Sequence, residues 1–464
     1  MDACAYMDFL RKPVFQSEKN GEKQLTEEKM SVHNDICAFF SKHNFVRHID
    51  VENTVSALLS DMESGLDGQK SDQPMLLTWC TPPEKRVKNE KVIVIDAGGT
   101  NFRSSLVTFD GNGCVSISEL EKTVMPGVAK ELSKKEFFEQ MAKNLEHLKN
   151  KAEKIGFCFS YPMEITPDGD GILLGFSKEV KAPEVVGCHV GKELCDALEA
   201  HGWNRPKSIT LLNDTVAALL SGAASPKTGV EYSSYIGFIL GTGLNSAYLQ
   251  PEMTSPSGRK IEKQIIVCEA GGFSKICLSD FDKAFDSKTM RPGTYIMEKN
   301  CSGAYLGPVS LEILKAAAQE NIFSGKFAEK ILALEALPLI EVSGFLAGPY
   351  SRENSLGALC AEFASEQDYE AIFEILDAVV ERSARYAAAM LAAAAIKTGC
   401  GKNPARPVCI VCNGTTFYKT HKIKDRTAAL LEQALFESRG ISFEMVEVEN
   451  DITLGSAIAG LIER

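Results

Sequence analysis

The sequence lacks the features that mark nucleic-acid-binding, membrane and disulfide-rich proteins. Its 62 acidic side chains outnumber 50 basic ones, which gives a formal net charge of −12. That balance argues against binding to nucleic acid or to a membrane surface. No apolar run is long enough to span a bilayer, and the 14 cysteines follow no disulfide framework. We therefore expect neither nucleic acid nor a membrane among the partners.

The first residues also lack the apolar core segment of a signal peptide. Asp2, Asp8, Arg11 and Lys12 bring charge into this stretch, and residues 1 to about 30 are mostly polar. Together with the unpatterned cysteines, this predicts a cytoplasmic protein that keeps its thiols reduced.

One cysteine pair, Cys409 and Cys412, has the C-x-x-C spacing of metal and redox motifs. It falls in the strand-like run Val408–Cys412, where residues three apart face opposite sides. A shared metal or a disulfide is therefore disfavoured, and no second cysteine pair or histidine cluster supports zinc. We expect buried structural thiols.

The length and patterning predict a two-domain α/β protein. A chain of 464 residues exceeds the ~250–300 residues at which one hydrophobic core usually splits. Strand and helix patterns alternate along it. Two helices are expected after residue 30, and the second follows Asp50 as N-cap, with apolar residues at helical spacing from Val51 to Leu66. Strands are expected at 92–96, 104–109, 155–159, 208–212, 235–240, 265–268 and 408–412, and helices near 134–153, 190–200, 214–224, 308–320 and 367–398.

The stretch from Val92 to Arg103 is the most informative part of the sequence. A β-branched run ends at Asp96 and is followed by Gly98, Gly99 and Thr100. Glycines at a strand end expose backbone N–H groups, and a carboxylate and a hydroxyl beside them suit a phosphate with Mg²⁺ nearby. No lysine follows the glycines, so the stretch is not a P-loop. Taken alone, it is also compatible with an ordinary tight turn.

Asp214 is the strongest single candidate for catalysis. The strand-like run Ser208–Leu212 is followed by Asn213-Asp214-Thr215 and then by apolar residues at helical spacing. A carboxylate at a helix N-terminus is held ionised and can accept a proton from a hydroxyl that attacks phosphorus. The alternative is an ordinary aspartate N-cap.

Other polar groups lie at strand ends and turns. Gly241-Thr242-Gly243 is either a phosphate-binding turn or a simple hairpin, and a similar Gly/Thr turn occurs at Asn413–Thr416. Turns of this kind at strand ends fit a ligand cleft lined by two domains. The remaining candidates are Ser160, Ser177, Lys178, Asn245, Glu269 and Glu298.

The order and spacing of these segments resemble the hexokinase family from about Leu59 to the C-terminus. The matching segments are Asp-Met-Glu-Ser-Gly-Leu66, Asp-Ala-Gly-Gly-Thr-Asn-Phe-Arg103, Phe-Ser-Tyr-Pro162, Ile-Leu-Leu-Gly-Phe-Ser-Lys178, Asn-Asp-Thr-Val216, Gly-Thr-Gly-Leu-Asn-Ser-Ala-Tyr248, Glu-Ala-Gly-Gly-Phe273, Arg-Pro-Gly-Thr-Tyr-Ile-Met-Glu-Lys299, Ser-Gly-Ala-Tyr-Leu-Gly307 and Asn-Gly-Thr-Thr-Phe-Tyr418. The resemblance implies a two-domain, actin-like (ribonuclease H-like) sugar kinase fold with an interdomain cleft. It also implies an N-terminal helical part of the large domain (1–88), a small domain (89–220), the rest of the large domain (221–448) and a C-terminal segment returning to the small domain (449–464).

The resemblance also implies a role for each matching position. Asp214 would be the general base, with Lys178 and Arg103 as the other catalytic residues. The sugar-binding residues would be Ser160, Ser177, Lys178, Asn213, Asp214, Asn245, Glu269 and Glu298. The residues that meet Mg-ATP would be Asp96, Gly98, Gly99, Thr100, Asn101, Gly241, Thr242, Gly243, Gly414, Thr415, Gly455 and Ser456, with Asp96 holding Mg²⁺ through water.

Three departures from the family pattern involve four positions. Ser177 stands where the family usually has Thr, and Asn413 stands where it usually has Asp. Pro308 and Leu311 replace a Glu and an Arg that usually follow the Tyr-Leu-Gly motif. The change at Asn413 removes a charge near the nucleotide and bears on nucleotide binding.

The implied activity is ATP-dependent phosphorylation of a hexose, glucose foremost, at its 6-hydroxyl as the first step of glycolysis. The implied partners are the hexose and Mg-ATP, with the protein a monomer or homodimer. The alternative is a non-catalytic sugar sensor on the same fold. Retention of Asp214 and Lys178 disfavours the sensor, whereas Asn413 keeps it open.

Overall fold

The computed structural model describes residues 32–176, 180–224 and 229–462. The strands are β1 Leu76–Leu77, β2 Glu90–Gly98, β3 Asn101–Phe109, β4 Val115–Val124, β5 Lys154–Phe159, β6 Met163–Ile165, β7 Gly171–Leu173, β8 Ser208–Leu212, β9 Ser234–Leu240, β10 Leu244–Gln250, β11 Met253–Thr254, β12 Lys260–Ile261, β13 Gln264–Val267, β14 Val408–Asn413 and β15 Phe443–Val446. The α-helices are α1 32–42, α2 Val51–Leu66, α3 Lys134–Asn144, α4 Val190–Ala200, α5 Asp214–Ala224, α6 Asp280–Ser287, α7 Ile296–Lys299, α8 Gly303–Gln319, α9 Gly325–Leu332, α10 Leu339–Ala347, α11 Ser355–Phe363, α12 Glu366–Thr398, α13 Thr415–Lys419, α14 Ile423–Leu431 and α15 Asp451–Leu461.

The described chain divides into two compact units. The first holds residues 32–47, Leu278–Phe285 and Gly307–Val379, and the second holds His48–Cys277, Asp286–Leu306 and the chain from Val380 onward. Both large sheets and every described candidate site residue belong to the second unit. The predicted boundaries of a small and a large domain stay a prediction.

The first unit is helical and has its own aromatic cluster. Phe39, Phe40, Phe45 and Phe281 have ring centroids between 4.5 and 6.5 Å apart. This unit also contains Pro308 and Leu311, which lie in α8.

The first sheet of the second unit has the strand order β4-β3-β2-β5-β8. Strands β2, β5 and β8 run parallel, and β3 and β4 continue the sheet antiparallel to β2. The apolar run predicted at 92–96 is the centre of β2, with buried residues from Val92 to Ile95. Because parallel strands end at the same edge of a sheet, the segments that follow β2, β5 and β8 lie side by side.

The second sheet has the strand order β1-β13-β10-β9-β14-β15. Strands β9, β14 and β15 are parallel, whereas β10 and β13 extend the other side antiparallel. The glycine turns after β9 and β14 therefore share one edge. The side chains of Cys409 and Cys412 on β14 are buried and form no disulfide, as expected, and burial raises the pKa of the Cys412 thiol.

Helices α5 and α15 are in direct backbone contact. A Cβ on Gly455 of α15 would lie 1.8 Å from the carbonyl oxygen of Ala217 in α5. On the other side of α15, a Cβ on Gly156 of β5 would lie 1.8 Å from the carbonyl oxygen of Ser456. Glycine is required at both points because any side chain there would overlap backbone atoms that cannot move aside. These contacts fix α15 against the elements that carry Asp214 and Ser160.

Each predicted strand and helix has a counterpart in the structure. Asp50 caps α2, accepting a hydrogen bond from the Asn53 backbone. The helix expected at 134–153 is shorter, ending at Asn144 with a 3₁₀ turn after it. Among the described residues, no helix is both long and apolar enough to cross a membrane.

Candidate active site

The turn after β2 lies against the residue that follows β5. The Ser160 backbone N–H donates to the carbonyl oxygen of Ala97 at 3.0 Å, and the Tyr161 hydroxyl donates to that of Gly99 at 3.0 Å. A Cβ on Gly98 would lie 2.8 Å from the Ser160 Cβ, so glycine is needed for this approach. The structure thus brings the predicted sugar-binding Ser160 next to the predicted phosphate turn.

That phosphate turn is a tight hairpin connection. Gly98 pairs with Asn101, and the two residues between them, Gly99 and Thr100, are exposed. Gly99 has a φ of 55°, in the left-handed region that favours glycine. The turn is therefore stabilised by its strands and open to a ligand.

Asp96 and Arg103 face each other across β2 and β3. The guanidinium nitrogen Nη1 of Arg103 lies 3.1 Å from Oδ2 of Asp96. Burial raises the pKa of Asp96, and Arg103 partly offsets this effect. Arg103 itself is exposed and can reach an anionic ligand without leaving the strand.

Asp214 is the first residue of α5, and the N-cap is Asn213. The Asn213 Oδ1 accepts from the Thr215 backbone N–H at 2.9 Å and from the Thr215 hydroxyl at 2.6 Å. The alternative that Asp214 is an ordinary N-cap is therefore wrong: Asn213 has that function. Asp214 accepts from the same Thr215 N–H at 2.8 Å through one oxygen, and its side chain is available for another role.

The pKa of Asp214 is raised to about 6, so burial outweighs the expected effect of the helix N-terminus, which favours the ionised form. Desolvation by the surrounding protein is the largest cause; the Thr215 hydrogen bond lowers the pKa, and the negative charges of Glu269, Asp96 and Asp451 raise it further. The side chain is nonetheless only half-buried, so a ligand can reach it. A carboxylate of this pKa is ionised at pH 7 and can still hold a proton.

Three predicted sugar-binding residues are each held by hydrogen bonds: Asn245 on β10, Glu269 just after β13 and Glu298 in α7. The Asn245 amide donates to Oε1 of Glu269 at 3.0 Å, and its own oxygen accepts from the Ser246 and Ala270 backbone N–H groups. Oε2 of Glu298 accepts from the Leu244 N–H at 2.9 Å. Asn245 is thus bonded directly to Glu269, and Glu298 is bonded to the backbone of the residue before Asn245.

Burial raises the pKa of both glutamates of this group, and Glu298 contributes to the rise at Glu269. Glu269 also has a left-handed backbone, with φ 54°. Such strain in a non-glycine residue is concentrated at functional sites, and here it sets the direction of a partly accessible carboxylate.

The two glycine turns of the second sheet are bonded to each other. The Gly241 carbonyl accepts from the Thr416 hydroxyl at 2.7 Å and from the Gly303 N–H at 2.8 Å. Gly414 has φ 118°, and a Cβ there would lie 2.1 Å from the Leu240 carbonyl oxygen. Gly241–Gly243 does close a hairpin between β9 and β10, as one alternative predicted. Thr415, the first residue of α13, is exposed beside it.

Asp451 was missed by the sequence analysis. It is the first residue of α15, and both of its carboxylate oxygens accept from the Asn413 side-chain nitrogen, at 2.8 and 2.6 Å. The signal for it was a repeat of one pattern: Asn450-Asp451 opens α15 just as Asn213-Asp214 opens α5.

Two residues predicted to bind the nucleotide, Gly455 and Ser456, make packing contacts in the structure. Gly455 packs on α5, and the buried Ser456 donates its hydroxyl to the Ile452 carbonyl within α15. The structure gives both a packing role, and their nucleotide contact stays a prediction. Ser177 and Lys178 lie outside the described residues.

Comparisons with known proteins cover most of the chain. One family model described as Hexokinase matches residues 40–224, and a second with the same description matches residues 235–462. The curated Hexokinase-5 of Oryza sativa subsp. japonica is 30% identical over 374 residues, which are 75% of this chain and 72% of that protein. Hexokinase-1 of Schizosaccharomyces pombe is 28% identical over 428 residues, 87% of this chain and 86% of that protein. A solved hexokinase from Schistosoma mansoni, complexed with glucose, matches with a TM-score of 0.75 at 22% identity, covering 93% of this chain and 99% of that one.

The mixed α/β architecture of the chain is a two-domain sugar kinase fold. The chain belongs to the hexokinase family. It is therefore a phosphotransferase that phosphorylates a sugar.

Proposed function

We propose that this chain transfers the terminal phosphoryl group of ATP to the 6-hydroxyl of a hexose, glucose foremost, giving hexose 6-phosphate and ADP as the first step of glycolysis. The proposal depends mainly on the position and the pKa of Asp214. This residue is a half-buried carboxylate with a pKa of about 6, at the sheet edge that also holds Ser160 and the Gly98–Thr100 turn.

Asp214 acts as the general base in this proposal. Its free oxygen accepts the proton of the sugar hydroxyl as that oxygen attacks phosphorus. The pKa of about 6 leaves the carboxylate mostly ionised at pH 7 and makes it a stronger base than an ordinary aspartate. The hydrogen bond from Thr215 fixes one oxygen and so orients the other.

The polar group of Asn245, Glu269 and Glu298 binds the sugar hydroxyls, together with Ser160. Several hydroxyls on one ring need several donors and acceptors, and an analogue that leaves these half-buried groups unpaired is rejected. Ser177, Lys178 and Asn213 complete the proposed sugar contacts.

The strand-end turns hold the nucleotide in this proposal. Their backbone N–H groups suit phosphate oxygens, and Arg103 supplies a positive charge next to Asp96. Mg²⁺ usually keeps several waters and binds through one or two carboxylates plus substrate phosphates. Asp96 fits that requirement as a water-mediated ligand, and the ion would neutralise charge on the phosphates.

A panel of hexoses and phosphoryl donors tests the proposal. ADP release is followed with and without each sugar, using purified protein. We expect glucose-dependent ADP release and a sugar 6-phosphate product. Sugar binding without any turnover, for every hexose and donor, would contradict the proposal and favour a sensor.

The pH dependence of kcat/KM gives a prediction about the base. Because only the ionised form of Asp214 accepts a proton, activity should be constant near neutral pH and fall about tenfold per pH unit below pH 6. The measurement is kcat/KM for glucose between pH 5 and 8 at saturating Mg-ATP. A kcat/KM that stays constant down to pH 5, as expected for an ordinary aspartate pKa of ~4, would contradict the assigned base.

Replacing Glu298 by Gln tests the sugar site. The change keeps size and removes a charged hydrogen-bond acceptor, which is worth about 1.5–3 kcal/mol. We expect the KM for glucose to rise roughly 10- to 100-fold and the KM for ATP to stay within about threefold. Glu262→Gln, an exposed site between β12 and β13, is the control. Equal changes in both KM values would argue against a sugar-specific role.

A further inference from the structure

The contact between Asn413 and Asp451 joins two elements that are 38 residues apart in sequence. Asn413 is the last residue of β14 and directly precedes the Gly414 turn. Its side-chain nitrogen reaches both oxygens of the buried Asp451, and the Ile452 N–H donates to one of them at 2.8 Å. The carboxylate is therefore held by two donors from different elements.

Asp451 lies among other negatively charged groups. Asp96 on β2 and Asp214 on α5 both interact with it electrostatically. A second carboxylate at position 413 would lie within hydrogen-bond distance of Asp451 and add repulsion to this group. The Asn413 amide instead donates a hydrogen bond without adding charge. This agrees with the presence of Asn at a position where the family usually has Asp.

The same contact couples the two sheets mechanically. Gly414 is packed on the Leu240 carbonyl and the Gly241 nitrogen, so the end of β14 is in contact with the Gly241 turn. Asp451 opens α15, whose Gly455 touches the Ala217 backbone of α5. A continuous path of backbone contacts and one side-chain bond thus connects the glycine turns to the helix that begins with Asp214.

We propose that Asn413 and Asp451 are a positioning pair, in which a neutral amide bonded to one carboxylate fixes the Gly414 turn for the nucleotide. This inference rests on the proposed function, which assigns the nucleotide to that turn. The pair needs one amide donor and one carboxylate, and either residue can supply either group.

The test is a charge-swap cycle with Asn413→Asp, Asp451→Asn and the double variant. Binding of Mg-ADP and of glucose is measured by calorimetry, which needs no turnover. Asn413→Asp places two carboxylates together, and we expect the Kd for Mg-ADP to rise at least tenfold. The double variant restores an amide–carboxylate pair, and the new amide oxygen at position 451 can still accept from the Ile452 N–H, so we expect a Kd within about threefold of the wild type. The Kd for glucose should stay within about twofold throughout.

Two further measurements separate positioning from a general structural role. Asp451→Asn removes one of the charges that raise the pKa of Asp214, so the acid limb of kcat/KM should move to lower pH. Asn403→Asp, the same chemical change in an exposed loop before β14, is the matched control and should leave both Kd values unchanged.

Either of two results would contradict the proposed positioning pair. One is a Kd for Mg-ADP of Asn413→Asp equal to that of the wild type. The other is a double variant that binds Mg-ADP no more tightly than Asn413→Asp does. A wild-type protein that binds Mg-ADP but phosphorylates no hexose would instead contradict the proposed function. The binding measurements on the three variants would still test the positioning pair.

Discussion

Replacing Asp214 by Asn is expected to lower kcat by roughly 10²- to 10⁴-fold, the range typical of a positioned general base. The amide keeps the size of the side chain and an oxygen that can accept from Thr215, so the start of α5 should be preserved. It cannot take a proton from the sugar hydroxyl. The measurement is glucose-dependent ADP release, with the Kd for glucose determined by calorimetry on the same preparation.

The control for this change is Asp425→Asn, an exposed aspartate in the first turn of α14. Its kcat should remain within about twofold of the wild type. If Asp214→Asn kept kcat within tenfold of the wild type while folding normally, Asp214 would be removed from the mechanism.

Replacing Gly455 by Ala is expected to have the largest effect on stability. The new Cβ would lie 1.8 Å from the Ala217 carbonyl oxygen and 2.7 Å from its Cα, so α15 must move away from α5. Overpacking typically costs ~1–3 kcal/mol, and a clash between two backbones belongs at or above the upper end. We therefore expect a lower urea midpoint, measured without ligands, and a loss of activity because α15 carries Asp451.

The matched control is Gly325→Ala at the start of α9, where an added Cβ meets no atom within 4 Å. Its urea midpoint should barely change. An unchanged midpoint for Gly455→Ala would show that α15 is not packed on α5 as described.

Local patterns predicted most of the regular structure because burial leaves a strong signal in sequence. The β-branched core of β2 and the Asp50 cap of α2 are examples. Strand β4 was missed because it is an edge strand whose residues are mostly exposed, which removes the apolar pattern. Strand β10 was missed because it begins immediately after the Gly241–Gly243 turn, with no separate sequence signal for its start.

The candidate residues could be named from the sequence, but their interactions could not. The pKa of Asp214 depends on Glu269, Asp96 and Asp451, which come from distant parts of the chain and meet only in the fold. Asn213 and Asp214 are adjacent, so local pattern alone could not say which of them caps α5. The contact between Asn413 and Asp451 could not be predicted either, because 38 residues separate them in the sequence.

A single-turnover experiment tests the central claim most directly, because it separates phosphoryl transfer from binding and product release. Excess protein is mixed with glucose and radiolabelled Mg-ATP, and labelled sugar phosphate is quantified after rapid quenching. We predict rapid transfer by the wild type, and transfer slower by roughly 10²- to 10⁴-fold in Asp214→Asn with both ligands bound. Equal single-turnover rates for the two proteins would contradict the account.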